Sequence, residues 1–338
     1  MAKRIFPLLL TALLLAGCGR VSGGAGQYQR TYLDLFDTVT YITGLADSQA
    51  EFDEMAQNVH DALWEYHCLF DIYHEYDGMN NLKTVNDSAG GAPVTVDSRI
   101  LRLLLACREY DALTGGKVNA AMGSVLSLWH DAREAALEDP EAAALPDASA
   151  LAEAARHTDW DCVIIDEENG TVCLTDPEMS LDVGAIAKGW ALQQVAETAP
   201  EGLLISLGGN VCATSDKAGQ PWLVGVNDPD GADAYLCTLA LSAGSAVTSG
   251  DYQRYFTVDG ENYNHIIDPD TLYPGTLWRS VTVVCADSGL GDALSTALFL
   301  LPLEEGLALA EQCGAEAMWV DGSGEIFYSP GFEDLLSN

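Results

Sequence analysis

From Trp160 onward the apolar residues recur mainly at every second position, and this change of period constrains the fold more than any other feature of the chain. The stretches "DCVIID", "TVCLTD", "GLLISLGG", "WLVGVND", "YLCTLALS", "SVTVVCA" and "AEAMWVD" each read as a short strand. Helical spacing interrupts them from about Gly184 to Thr198, from about Asp292 to Leu301, and from Leu303 to Cys313. Hairpin-spaced strands with separate helices predict an α+β fold of mixed, largely antiparallel sheets with packed helices, not a regular βαβ repeat.

Before Trp160 the helical period dominates. Residues 31–43, "TYLDLFDTVTYIT", alternate as one strand would, and Asp47–Ser48 supply a cap for the helix that follows. Phe52, Met55, Val59, Leu63, Tyr66 and Phe70 recur at three and four, marking one face of that helix. A second helix is expected from Asp97 or Ser98, carrying Ile100, Leu103, Leu104 and Cys107 until Gly115–Gly116 stops it. Residues 131–158 are Ala- and Glu-rich, broken by Pro140 and Pro146, and are expected as a solvated surface segment. With no internal repeat and no interdomain linker, residues 31–338 are expected to form a single domain.

The first residues, "MAKRIFPLLLTALLLAGCGR", place Lys3 and Arg4 before an apolar run and the small pair Ala16–Gly17, the order of an export signal. The run from Phe6 to Leu15 is shorter than the roughly 20 apolar residues that a spanning helix needs. Cys18 directly after "LAG" resembles the lipobox of bacterial lipoproteins. That resemblance implies loss of residues 1–17, lipidation of Cys18, and a chain held on the extracytoplasmic side of a membrane through its lipid anchor only. Residues 18–30 are expected as a flexible tether.

The formal charge of −36 becomes −38 once Lys3 and Arg4 leave with the signal. Nucleic acid and anionic membrane surfaces both need a basic face, so neither is an expected partner. An anionic ligand must instead be held by a metal ion, by helix N-termini or by a single placed lysine. The eight cysteines besides Cys18 show no CxxC spacing, which argues against a zinc or thioredoxin-like site. Cys162 and Cys173 flank the turn-like "DEENG", and the sequence leaves open whether they pair.

Five stretches carry candidate chemistry: "LDVGAIAKGWAL", "ISLGGNV", "TSGDYQRYF", "HIIDPDT" and "SGLGDALSTALF". In the last, Asp292 opens the expected helix and Thr296 follows one turn later on the same face, so their oxygens can share a hard cation. Read singly, Asp292 is an ordinary helix cap and Thr296 a hydroxyl bonded back to its own turn. Asp182, Ala185 and Lys188 stand three residues apart before and within the Gly184 helix. "LGGNV" lacks the GxGxxG spacing of a dinucleotide fingerprint, so its glycines either make a turn or admit a close ligand. His265, read alone, is a hydrogen-bonded core histidine inside the apolar, strand-like run Asn264–Ile267.

Taken together and in order, these motifs resemble the ApbE-type FAD:protein FMN transferases, over about Tyr32 to about Phe327. The resemblance implies a magnesium site of Asp292 and Thr296 side chains with the Ala185 carbonyl. It also implies FAD contacts at Tyr73, Lys117, Val118, Asn119, Asp182, Lys188, His265 and Ile266. Phe36, Asn119, Ala121 and Leu272 stand where the family usually has Met, Asp, Thr and Gly. The implied activity is transfer of FMN from FAD to a Thr or Ser hydroxyl of an extracytoplasmic flavoprotein, with AMP released. His265 is the candidate general base, and Asp182 the second candidate catalytic residue. The rival expectations are a lipid-anchored FAD-binding carrier and an FAD pyrophosphatase that yields FMN and AMP.

Overall fold

The computed structural model describes residues 26–231 and 235–337, so the expected signal, Cys18 and the first part of the tether lie outside the described residues. The strands are β1 (Gly26–Leu35), β2 (Thr38–Ala46), β3 (Val94–Thr95), β4 (Val163–Asp166), β5 (Thr171–Leu174), β6 (Leu203–Leu207), β7 (Asn210–Ala213), β8 (Trp222–Asn227), β9 (Tyr235–Leu241), β10 (Gly244–Gly250), β11 (Tyr255–Val258), β12 (Glu261–Asn264), β13 (Ser280–Cys285), β14 (Glu316–Val320) and β15 (Ile326–Tyr328). The helices are α1 (Gln49–Phe70), α2 (Leu82–Asp87), α3 (Ser98–Leu113), α4 (Gly123–Glu138), α5 (Ala148–Ala154), α6 (Ala187–Ala196), α7 (Ser288–Leu300) and α8 (Leu303–Gln312). The main sheet has eight strands in the order β1-β2-β6-β7-β10-β13-β14-β15, every neighbouring pair antiparallel. The fold is therefore α+β with largely antiparallel sheets, as the period of the sequence indicates.

Both faces of this sheet are covered, and alternate residues serve opposite faces. Leu203, Ile205, Leu207, Val281, Val283 and Trp319 join a large core with the helices, while Leu204, Val284, Met318 and Val320 join the β8–β9 hairpin on the other side. A strand apolar on both faces reads as a continuous run, which is why "LLISL" is buried at every position. At the expected scale of about 25 cal/mol per Å² of apolar area, this two-sided burial is the chief stabilising term.

Four expectations change against the coordinates. Residues 31–43 are not one strand but parts of β1 and β2, joined at Phe36 and Asp37, whose φ angles of 49° and 52° are both left-handed. Residues 26–30, expected within the tether, form the first half of β1 and pair with β2. The segment expected as solvated surface instead contributes Ala136 and Leu151 to a third core with Trp129, Phe256 and Ile267. The helix expected from Asp292 begins at Ser288, capped by the Asp287 carboxylate, which accepts the Leu290 N–H at 2.8 Å.

Smaller questions are also resolved. Gly208, at φ +62°, and Gly209 make the two-residue turn between β6 and β7, so "LGGNV" is a hairpin turn. Cys173 pairs with Ile164 across β4–β5, and both Cys162 and Cys173 are free thiols. Among the described residues, no helix is long and apolar enough to cross a membrane.

Candidate active site

Helices α6 and α7 cross so closely that the crossing requires glycine. A β-carbon at Gly189 would lie 2.2 Å from the Ser288 carbonyl oxygen and 2.5 Å from Asp292 Cβ. Backbone cannot yield there as a flexible side chain can, so Gly189→Ala is expected to destabilise by about 3 kcal/mol. A fall in the thermal midpoint checks this, and a midpoint unchanged within a degree or so would show that the crossing is looser.

At this crossing the Gly189 N–H donates to Asp292 Oδ2 at 2.8 Å. The Ala185 carbonyl, which lies one turn back from Gly189, accepts no hydrogen bond among the described residues. Asp292 lies in the second turn of α7 rather than at its cap, is 4% exposed, and turns its carboxylate toward α6 rather than onto its own helix. Burial raises its pKa, while the Lys188 ammonium, the Gly189 N–H and the Asn210 amide pull it back. Thr296 follows one turn on, and its hydroxyl bonds to no protein group among the described residues, unlike that of Ser295, which donates to the Asp292 carbonyl. A buried carboxylate, an unmatched carbonyl and an unmatched hydroxyl make an all-oxygen donor set. That set suits magnesium, which takes few protein ligands and keeps places for water and phosphate oxygens.

Asp182 and Ala185 precede α6 in a loop, so their three-residue spacing is not helical. Asp182 Oδ1 accepts the Gly184 N–H at 2.8 Å, and its own N–H donates to the Ala120 carbonyl at 2.8 Å. Burial raises the Asp182 pKa, opposed by His130, Lys188 and Arg254. Lys188 Nζ donates to the Gly184 carbonyl at 3.2 Å and stands 3.9 Å from Asp292 Oδ2.

The β11–β12 hairpin brings His265 to the same cleft. Tyr255 pairs with Asn264, so Arg254 and His265 sit together at the open end, where the His265 N–H donates to the Arg254 carbonyl at 3.1 Å. Strand order ends at Asn264, and His265 lies just beyond it rather than inside a strand. Packing of α4 on the hairpin, through Trp129 against Phe256 and Tyr263, holds this end in place. His265 Nδ1 is 3.2 Å from the Arg254 carbonyl oxygen. A carbonyl only accepts, so Nδ1 carries the proton and Nε2 is left as an acceptor. Crowding by the cleft walls, and then the charges of Arg254, Lys188 and Arg133, push the imidazole pKa down to about 3. The ring, open to the cleft, is neutral at physiological pH.

Tyr73 lies near enough to Asp182 and Arg254 to feel their charges, half-exposed and stacked on His130 with ring centroids 5.0 Å apart. Burial first, and then the Asp182 charge, push its pKa up to about 12, with Arg133 and Arg254 opposing. The structure thus gathers Tyr73, Asp182, Lys188, His265 and Asp292, all singled out from the sequence. It adds Arg254, Arg133 and His130, which the sequence reading missed. Arg254 lay inside the quoted "TSGDYQRYF", and in a chain with 15 Lys and Arg against 51 Asp and Glu an arginine there was itself a signal. Arg133 belonged to the segment expected as solvated surface, yet its Nε is buried without a partner.

Residues 36–319 match the family model described as the ApbE family. The chain belongs to the ApbE family. It is 33% identical over 306 residues to the FAD:protein FMN transferase of Treponema pallidum, covering 83% of this chain and 83% of that relative. To the FAD:protein FMN transferase of Klebsiella pneumoniae it is 34% identical over 252 residues, covering 72% and 76%. The crystal structure of the ApbE protein of Thermotoga maritima superposes with a TM-score of 0.82 at 29% identity, covering 92% of this chain and all of that one.

At the remaining ApbE-motif positions several polar groups are bonded within the protein. Lys117 Nζ is held by Asp268 at 2.8 Å and Asp270 at 2.7 Å, so it closes the "DPDT" turn beside His265. Val118 is buried in the core and its N–H bonds Thr114 Oγ1. The Asn119 amide is occupied by the Thr158 carbonyl and the Ala121 N–H. Ile266 has a core side chain, with its N–H on Asn264 Oδ1 and its carbonyl on the Gly275 N–H. These four residues brace the cleft through groups already engaged. Leu272, where the family usually has Gly, adopts a left-handed φ of 63° and accepts the Trp129 indole N–H at 2.9 Å.

Proposed function

We propose that this ApbE-family enzyme transfers FMN from FAD to a Thr or Ser hydroxyl of an extracytoplasmic flavoprotein and releases AMP. The observation that carries the reading is His265, whose Nδ1 faces the Arg254 carbonyl and leaves Nε2 as an acceptor, near enough to Arg254, Lys188 and Arg133 for their charges to favour the neutral ring. Asp292, Thr296 and the Ala185 carbonyl would hold magnesium, which when bound neutralises pyrophosphate charge that would repel an attacking oxygen. The acceptor hydroxyl oxygen forms a bond to the FMN-side phosphorus while the bond from that phosphorus to the bridging oxygen breaks. AMP leaves with the electron pair, and the hydroxyl proton passes to His265 Nε2. The three cations would oppose the negative charge that grows in this reaction, in a protein whose overall field is otherwise repulsive to phosphate. Export and lipidation at Cys18 would set this cleft on the extracytoplasmic side, facing its acceptor.

The test is the intact mass of an extracytoplasmic flavoprotein domain after incubation with the protein, FAD and magnesium. An FMN-sized gain on one Thr or Ser, lost with chelator, is the expected result. AMP without mass gain would favour an FAD pyrophosphatase, and bound FAD with neither product would favour a carrier. The pH dependence is a second check. His265 is neutral well below its usual pKa, so the form needed as a base persists as the medium is acidified. At saturating magnesium, kcat/KM for FAD is expected to stay level from about pH 8 to about pH 6. A halving near the ordinary histidine pKa would show that the cleft does not shift the base.

A further inference from the structure

One half-buried histidine joins the two walls of the cleft and has no part in the chemistry above. On α1, His67 Nδ1 receives the Phe36 N–H at 3.1 Å. Its Nε2 lies 3.3 Å from the Tyr76 hydroxyl, which is 2.9 Å from Asp71 Oδ2. Asp71 Oδ1 in turn accepts the Tyr73 N–H at 2.6 Å and the His74 N–H at 3.0 Å. Every proton in this chain is assigned by its neighbours. The Phe36 amide can only donate, so Nδ1 is the acceptor and Nε2 carries the hydrogen. The Asp71 carboxylate can only accept, so the Tyr76 hydroxyl donates to it and accepts from Nε2.

The two ends of the relay are the two walls of the cleft. At one end, the Phe36–Asp37 turn offers its Asp37 carbonyl to Arg254 Nη2 at 3.4 Å. At the other, the Asp71 carboxylate fixes the loop that carries Tyr73, whose ring stacks on His130. The turn needs such a tether, because Phe36 holds a left-handed φ that is strained for a non-glycine residue. Burial lowers the His67 pKa, which keeps the ring in the neutral form that the relay uses.

Resting on the proposed function, we infer that His67 is a positioning residue that sets the spacing between the Arg254 and Tyr73 walls of the FAD cleft through the Phe36–His67–Tyr76–Asp71–Tyr73 relay. The substitution His67→Phe keeps an aromatic ring against Phe36 and Trp64, whose centroids lie 5.5 and 5.0 Å from the imidazole, but removes both hydrogen bonds. FAD affinity, read by titration of protein fluorescence, is expected to fall about tenfold, with kcat for FMN transfer changed by less than about threefold. His67→Asn, whose amide oxygen can replace Nδ1 toward Phe36, is expected to recover affinity to within about threefold of the wild type. A purely structural role would lower stability without this split or this rescue. If His67→Phe does not fold, Tyr76→Phe, which like His67→Asn keeps the Phe36 bond and loses the link to Asp71, is expected to lower FAD affinity by the same roughly threefold. Wild-type affinity in the variant that folds, or equal losses in His67→Phe and His67→Asn, would overturn the inference. A wild-type protein that binds no FAD would instead overturn the proposed function, and this inference with it.

Discussion

His265→Ala is expected to lower kcat for FMN transfer by about 10²–10⁴-fold while FAD affinity changes by less than about threefold. The split follows from what the ring touches. Among the described residues its only ring hydrogen bond runs from Nδ1 to the Arg254 carbonyl, which keeps the His265 backbone N–H when the ring is removed, so no cation is disturbed. Arg254, Lys188 and Arg133 remain, and with them the positive field that draws the pyrophosphate. What is lost is Nε2, the acceptor for the hydroxyl proton. AMP release measured in single turnover, beside FAD titration, separates the two effects. Transfer retained within about tenfold would move the base elsewhere. Asp182 would then be the next candidate, since burial raises its pKa toward the range useful for proton transfer.

The strands after Trp160 were legible because two covered faces demand apolar residues and each run ends in turn residues. The β1–β2 turn was not, because Phe36–Asp37 carries no glycine or asparagine, and a strained turn leaves no local signal. Nor was the start of α7: Asp287 and Asp292 are both suitable caps, and only packing against Gly189 decides that Asp292 lies inside the helix. In the site, Asp182, Lys188, His265 and Asp292 were legible through the order of their motifs, which resembles that of the ApbE family, since read singly each has an ordinary structural role. Their meeting was not, since Lys188 and Asp292 are brought within 3.9 Å by a helix crossing more than a hundred residues apart in sequence. The arginines were hidden for a different reason. Arg133 sits on an amphipathic helix whose apolar stripe, Val125, Trp129 and Ala136, is thin enough to resemble a solvated face.

Asp292→Asn is expected to abolish magnesium-dependent transfer and leave the metal-free protein at least as stable as the wild type. Asparagine keeps an oxygen for the Gly189 N–H and nearly the same volume, so the crossing of α6 and α7 is preserved. Only the charge is removed. The direction of the stability change follows from the raised pKa: the stabilisation tied to this carboxyl is full below its unfolded pKa and is lost as pH rises through its higher folded pKa. Asparagine carries no ionisable group and so avoids this loss at every pH. Magnesium reverses the comparison, because a ligand present at a hundred times its Kd stabilises the folded state by about 2.7 kcal/mol. Melting with and without magnesium, in the presence and absence of FAD, should show a metal-dependent rise in the wild type alone. An equal rise in Asp292→Asn, together with retained transfer, would place the cation on other oxygens and leave Asp292 as a brace between two helices.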